Sequence, residues 1–104
     1  MARTVRVTAG VGLWAAILAV PVAAFSYTGQ ELAPQAKITI DQARSIALRA
    51  HPGKITDEEL EKEGGGTGLR YSFDVKNGSK TYEIGVDAQT GKVLENKAEG
   101  PHPD

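Results

Sequence analysis

The sequence predicts an α+β domain: one N-terminal helix packed on a small antiparallel sheet of three to four strands. Two observations lead there. Residues 39–50 repeat apolar side chains at helical spacing behind a capping signal. Residues 69–86 form two stretches alternating apolar and polar residues around Asn77-Gly78. At 104 residues the chain holds one domain at most.

The first 24 residues read as a targeting segment. Arg3 and Arg6 supply a positive start, Val11 to Val20 is apolar, and Val22-Ala23-Ala24 places small residues where a signal peptidase cuts. Cleavage is expected after Ala24. The alternative is a retained membrane anchor, for which Val7 to Phe25 is barely long enough. Either way the rest of the chain is expected outside the cytoplasm, periplasmic or secreted. Phe25 to Ala36 has no sustained periodicity and reads as a flexible leader.

The helix should begin at Thr39. Its hydroxyl can cap, Gln42 can reach back to the Thr39 amide, and Asp41 suits the first turn. Ile40, Ala43, Ile46, Ala47 and Ala50 share an arc of about 120°. Arg44 lies off that arc, and so does Leu48, about 80° from Ile40 at 100° per residue. His51-Pro52-Gly53 ends the helix.

Lys54 to Glu63 carries only two apolar residues, Ile55 and Leu60, at an odd separation. The reading is an edge strand with a bulge that resets side-chain parity, its charges guarding the edge. Gly64 to Gly68 lacks the Gly-Lys-Ser/Thr ending of a phosphate loop and reads as a hairpin connection. With Asn77 and Gly78 at the tip of the next hairpin, Lys76 faces Ser79, Val75 faces Lys80, Phe73 faces Tyr82, Tyr71 faces Ile84 and Leu69 faces Val86. Seven of the eight residues in the last four pairs are then apolar or aromatic on one face. A turn follows at Asp87–Gly91, with Asp87 accepting from the turn amides. Lys92 to Glu95 returns as a short last strand, and residues 98–104 read as a disordered tail.

The order of these features resembles the PepSY domain family. The resemblance rests on Ile-Thr-Ile-Asp-Gln-Ala at the helix start, Pro-Gly-Lys at its exit, an acidic strand, Tyr-Ser-Phe-Asp-Val, and Tyr-Glu-Ile-Gly-Val-Asp-Ala-Gln-Thr-Gly-Lys-Val-Leu. It covers roughly residues 37 to 96, with Val86 to Val93 its most specific part. It implies a helix on an antiparallel sheet, and a place among propeptides of thermolysin-like metalloproteases and among secreted or membrane-anchored bacterial proteins. It also implies regulation or inhibition of a protease. With no protease domain in these residues, that action is expected in trans.

The remaining chemistry is thin. There is no cysteine, hence neither a disulfide nor a thiolate metal site. A net charge of −1 gives no basic field for nucleic acid. His51 and His102 have no nucleophile at a recognisable spacing, and two histidines fall short of a zinc set. No catalytic residue, cofactor or metal ligand is assigned. The expected function is a non-catalytic extracytoplasmic binding or regulatory module with a protein partner, a protease being the one the resemblance implies. Membrane contact arises only if the N-terminal segment is uncleaved. Two contact surfaces suggest themselves: a free strand edge, and the surface around Arg44 and Leu48. The alternative is a small cation-binding or envelope-stress protein using the acidic strand 57–63.

Overall fold

The computed structural model describes residues 26–100; the expected signal segment and the end of the tail lie outside them. Helix α1 spans Ile40–Ala50. Strands β1 (Lys54–Lys62), β2 (Leu69–Asn77), β3 (Lys80–Asp87) and β4 (Val93–Ala98) form one antiparallel sheet in the order β1-β2-β3-β4. The expected α+β architecture is therefore present, with four strands.

The helix starts as its sequence dictates. The Thr39 hydroxyl accepts from the Gln42 amide at 3.1 Å, and the Gln42 side chain accepts from the Thr39 amide at 2.9 Å. Ala43 and Ala47 are fully buried and set the helix close on the sheet. Beneath them lie Leu60, Tyr71, Phe73, Val75, Ile84 and Val86, all 2% exposed or less. Burying these side chains is the main stabilising term, about 25 cal/mol per Å² of apolar surface removed from water. Ile40, Ile46, Leu48 and Ala50 complete the helix contact, partly buried against this core.

Strand β1 has the expected bulge, between Ile55 and Asp57. The extra residue lets Ile55 and Leu60 both turn inward in spite of their odd separation. It also sends Asp57, Glu59 and Glu61 to the open face, while Glu58 turns towards α1.

Three expectations need correction. The β2–β3 register is shifted by two residues from the one expected. Val75 pairs with Tyr82, Phe73 with Ile84 and Tyr71 with Val86, and Asn77 pairs with Lys80 inside the ladder. The turn residues are Gly78 and Ser79; Gly78 has φ 67°, and no described non-glycine residue has positive φ. That is the pattern of a type II′ turn, with glycine at the first central position. Asn77 is held out of the turn because its side chain donates to the Pro52 carbonyl at 2.8 Å. A two-residue shift keeps every side chain on its face, so the expected division into buried and open faces stands.

The second correction concerns the leader. Gln30–Gln35 form a 3-10 helix, Thr28 makes a parallel bridge with Glu59, and the Leu60 amide donates to the Thr28 carbonyl at 2.8 Å. Gly29 crosses β1 with φ 85°, so close that a Cβ there would collide with the Leu60 carbonyl. The third concerns β4, which runs to Ala98 rather than ending at Glu95.

Candidate functional site

The outer edge of β1 and the surface around Arg44 meet in one groove. The leader crosses β1 at Glu59 and Leu60. Ahead of that crossing, Ile55 to Glu58 form one wall of a groove of about 570 Å³, Ser26 to Thr28 close one end, and Arg44 reaches in from α1. The bulge lies inside this wall, and bulges commonly re-aim side chains next to sites.

Arg44 bridges helix and strand. Its Nε and Nη2 donate to the two carboxylate oxygens of Glu58, the second at 3.0 Å, and Nη1 pairs with Asp41 one turn back. The hydrogen bond to Glu58 raises the guanidinium pKa, burial opposes it, and the Glu58 and Asp41 charges add to the rise. Arg44 is therefore a fixed, half-buried cation with two acidic partners. Leu48 takes a different role. It does not line the groove but packs, partly buried, against the core.

The face of the sheet opposite α1 is a shallow acidic groove of about 420 Å³, where Asp57, Glu59 and Glu61 of β1 meet Asp74, Glu83 and Glu99. One carboxylate oxygen each from Asp74, Glu83 and Glu99 lies within 4.8 Å of the others. Partial burial, then neighbouring carboxylates, raise the Glu83 and Glu99 pKa values. With one oxygen from each, the three would leave the rest of the six to eight oxygens that calcium takes to second carboxylate oxygens or water. The acidic strand thus supplies the rim of this face, and the convergent carboxylates come from elsewhere.

The turn at Asp87 does more than reverse the chain. Its carboxylate, 1% exposed, accepts from the Gln89 and Thr90 amides at 2.8 and 3.0 Å, and also from the Thr67 amide and hydroxyl at 2.7 and 2.9 Å. Burial alone would raise its pKa, but these four hydrogen bonds outweigh it and hold the carboxyl well below its usual range. Asp87 thereby pins the Gly-rich loop to the β3–β4 turn, a non-local link that no spacing rule announced. Arg70, 8% exposed, supports the same end of the sheet through Glu63, Glu95 and the Gly64 carbonyl. His51 caps α1 and lays its ring on Tyr82, with centroids 3.7 Å apart; His102 lies outside the described residues.

Against this geometry, the family model PepSY, peptidase propeptide and YPEB domain, matches residues 37–97. The chain belongs to the PepSY family. No curated protein and no solved structure matches it. The match takes in α1 and nearly all of the four-stranded sheet but stops short of residues 26–36. In this PepSY chain, one end of the groove is therefore built by residues outside the family region. No helix among the described residues is long and apolar enough to cross a membrane.

Proposed function

We propose that this chain is a non-catalytic, extracytoplasmic regulatory module that binds a protease in trans through the groove between α1 and the free edge of β1. The observation that carries the reading is the convergence of a strand edge that no described segment pairs with ahead of the Thr28 bridge, a bulge and the fixed Arg44–Glu58 pair in one place. An extended segment of the partner can pair with backbone at Ile55 to Glu58 as an added strand, continuing the direction that Thr28 already takes beside Glu59. Arg44 then offers a charge at the wall for orientation. The family's description as a peptidase propeptide supports a protease as the partner. Arg44 is the contact residue in this reading; Leu48 contributes by holding α1 against the core.

The test is inhibition of casein hydrolysis by a thermolysin-like metalloprotease, with wild-type chain and Arg44→Glu compared. Inhibition by the wild type that weakens at least tenfold in the variant supports the reading. Equal inhibition by both removes the groove from it.

A second reading, cation binding, is favoured by the convergence of Asp74, Glu83 and Glu99. Calorimetric titration with Ca²⁺ separates the two: heat that disappears in Glu83→Gln supports the cation site, and no heat ends it.

A further inference from the structure

The two edges of the sheet are guarded differently. β1 is bulged, strongly acidic and partly covered by Thr28. β4, at the other edge, has a bulge at Leu94 near its start, but it is not strongly acidic, has no described segment beside it and contains no proline. Its backbone directions follow from the ladder. The Glu99 amide donates to the Thr81 carbonyl, its direct partner, at 2.9 Å, and Tyr82 pairs with Ala98 and Ile84 with Asn96. Hydrogen-bonded and non-hydrogen-bonded pairs alternate along an antiparallel ladder. The N–H and C=O groups of Asn96 and Ala98 therefore point away from β3, towards solvent.

We infer that the β4 edge pairs with the β4 edge of a second copy of this chain, antiparallel about a two-fold axis through Asn96. Four symmetric registers can be compared; centring on Ala98 sets Lys97 against Glu99 twice but carries the pairing past the end of β4. Centring on Glu95 sets that glutamate against its own mate. Centring on Lys97 sets two lysines together and Glu95 against Glu99. Centring on Asn96 sets Glu95 against Lys97 twice, once on each side of the axis. Opposite charges directly across an antiparallel pair stabilise it and like charges oppose it. Of the four, only the Asn96-centred register has complementary charges in both pairs and keeps its central five pairs, Leu94 to Ala98, within β4, and it also brings the outward backbone groups of Asn96 onto each other. These Glu95–Lys97 contacts fall at non-hydrogen-bonded positions, where facing side chains approach most closely. Within one copy Lys97 already reaches Glu95 at 3.2 Å and is 67% exposed, so in the pair each lysine sits between two carboxylates. The interface is isologous and closes at two copies, giving an eight-stranded sheet and leaving the β1 groove at its two far edges. A contact of one short strand makes a weak dimer, populated only at high protein concentration.

The experiment is sedimentation equilibrium and amide hydrogen exchange on the full-length chain over rising concentration. A monomer–dimer equilibrium is expected, with exchange of the Asn96 and Ala98 amides slowing as concentration rises. Lys97→Glu replaces both favourable pairs with like charges. Ala98→Pro removes an outward N–H without touching the β3 ladder. Each should raise the dissociation constant at least tenfold with the melting temperature of the monomer kept. If Ala98→Pro does not fold, Lys97→Glu and the wild-type exchange pattern decide. A chain that stays monomeric throughout overturns the inference. So does association that neither variant weakens, or association that leaves the Asn96 and Ala98 amides as fast as before.

Discussion

Arg44 on α1 and Glu58 on β1 meet guanidinium to carboxylate, two nitrogens on two oxygens, across the mouth of the groove. Such a fork is directional, and it fixes the helix against the strand edge as well as pairing the charges. Both side chains keep some exposure, 29% and 21%, so the pair is open to a partner and weakened by solvent.

That partial exposure sets the first prediction. Arg44→Gln should lower stability by about 1 kcal/mol or less. Leu48→Asp should cost about 2 kcal/mol or more, because Leu48 packs on the core. Urea unfolding of the two variants measures the difference. Equal costs would mean that the two residues do the same structural work.

The β2–β3 register can be checked by double-mutant cycles. Phe73 and Ile84 are direct partners and should couple by about 0.5 kcal/mol or more; Phe73 and Tyr82, one diagonal step apart, should couple less. Gly78→Val should destabilise the turn, since a β-branched residue resists φ 67°. A stronger Phe73–Tyr82 coupling would restore the register with Asn77 at the tip.

Acid should act through Asp87. Its folded pKa lies below its unfolded value, so the stability it contributes is present above about pH 4 and is lost as pH falls below that. Asp87→Ala should cost about 3 kcal/mol, because it strands the Thr67, Gln89 and Thr90 amides, and should flatten the stability profile below pH 4. Thermal melts from pH 2 to 7 test both statements.

Alkali should act through Tyr71. Its hydroxyl donates to the Ile38 carbonyl at 2.9 Å, and burial, then the neighbouring Tyr27, push its pKa up to about 12. Its contribution is complete below about pH 10, the unfolded value, and is lost as pH rises towards 12. Tyr71→Phe should cost about 1 kcal/mol at neutral pH and lessen the alkaline loss. Stability measured by urea at pH 7 and at pH 11 tests this; an unchanged alkaline loss in the variant would assign it to another group.

Gly29→Ala should loosen the leader from β1, because the added Cβ meets the Leu60 carbonyl at a positive φ. Faster amide exchange at Leu60, which donates to Thr28, is the expected sign. Unchanged exchange there would show that the crossing tolerates a side chain.

Much of this architecture was legible because local signals and burial agree. Thr39 and Gln42 cap in the chain as they do on paper, and the odd spacing of Ile55 and Leu60 announced the bulge. What stayed hidden depends on distant partners. Asn77-Gly78 points to a turn with Asn77 at its tip, yet Asn77 is claimed by Pro52, 25 residues away. One clue was present: the expected register sets buried Val75 against Lys80, whereas the observed one gives it Tyr82. The leader was unreadable because its apolar residues, Tyr27, Leu32, Ala33 and Ala36, pack against the core without a sustained period, and backbone hydrogen bonds and Gly29 fix it to β1. Arg44 could be singled out from the helix alone, but Glu58 could be matched to it only once the bulge had turned that glutamate inward.

The most direct test of the groove as the contact surface is amide-shift mapping. Isotope-labelled chain is titrated with a thermolysin-like metalloprotease whose active site is blocked. Perturbation is expected to concentrate at Ser26 to Thr28, at Ile55 to Glu58 and at the Arg44 side chain, and to be lost in Arg44→Glu. Perturbation confined to the acidic face around Glu61 and Glu83, or none at stoichiometric protease, would contradict it.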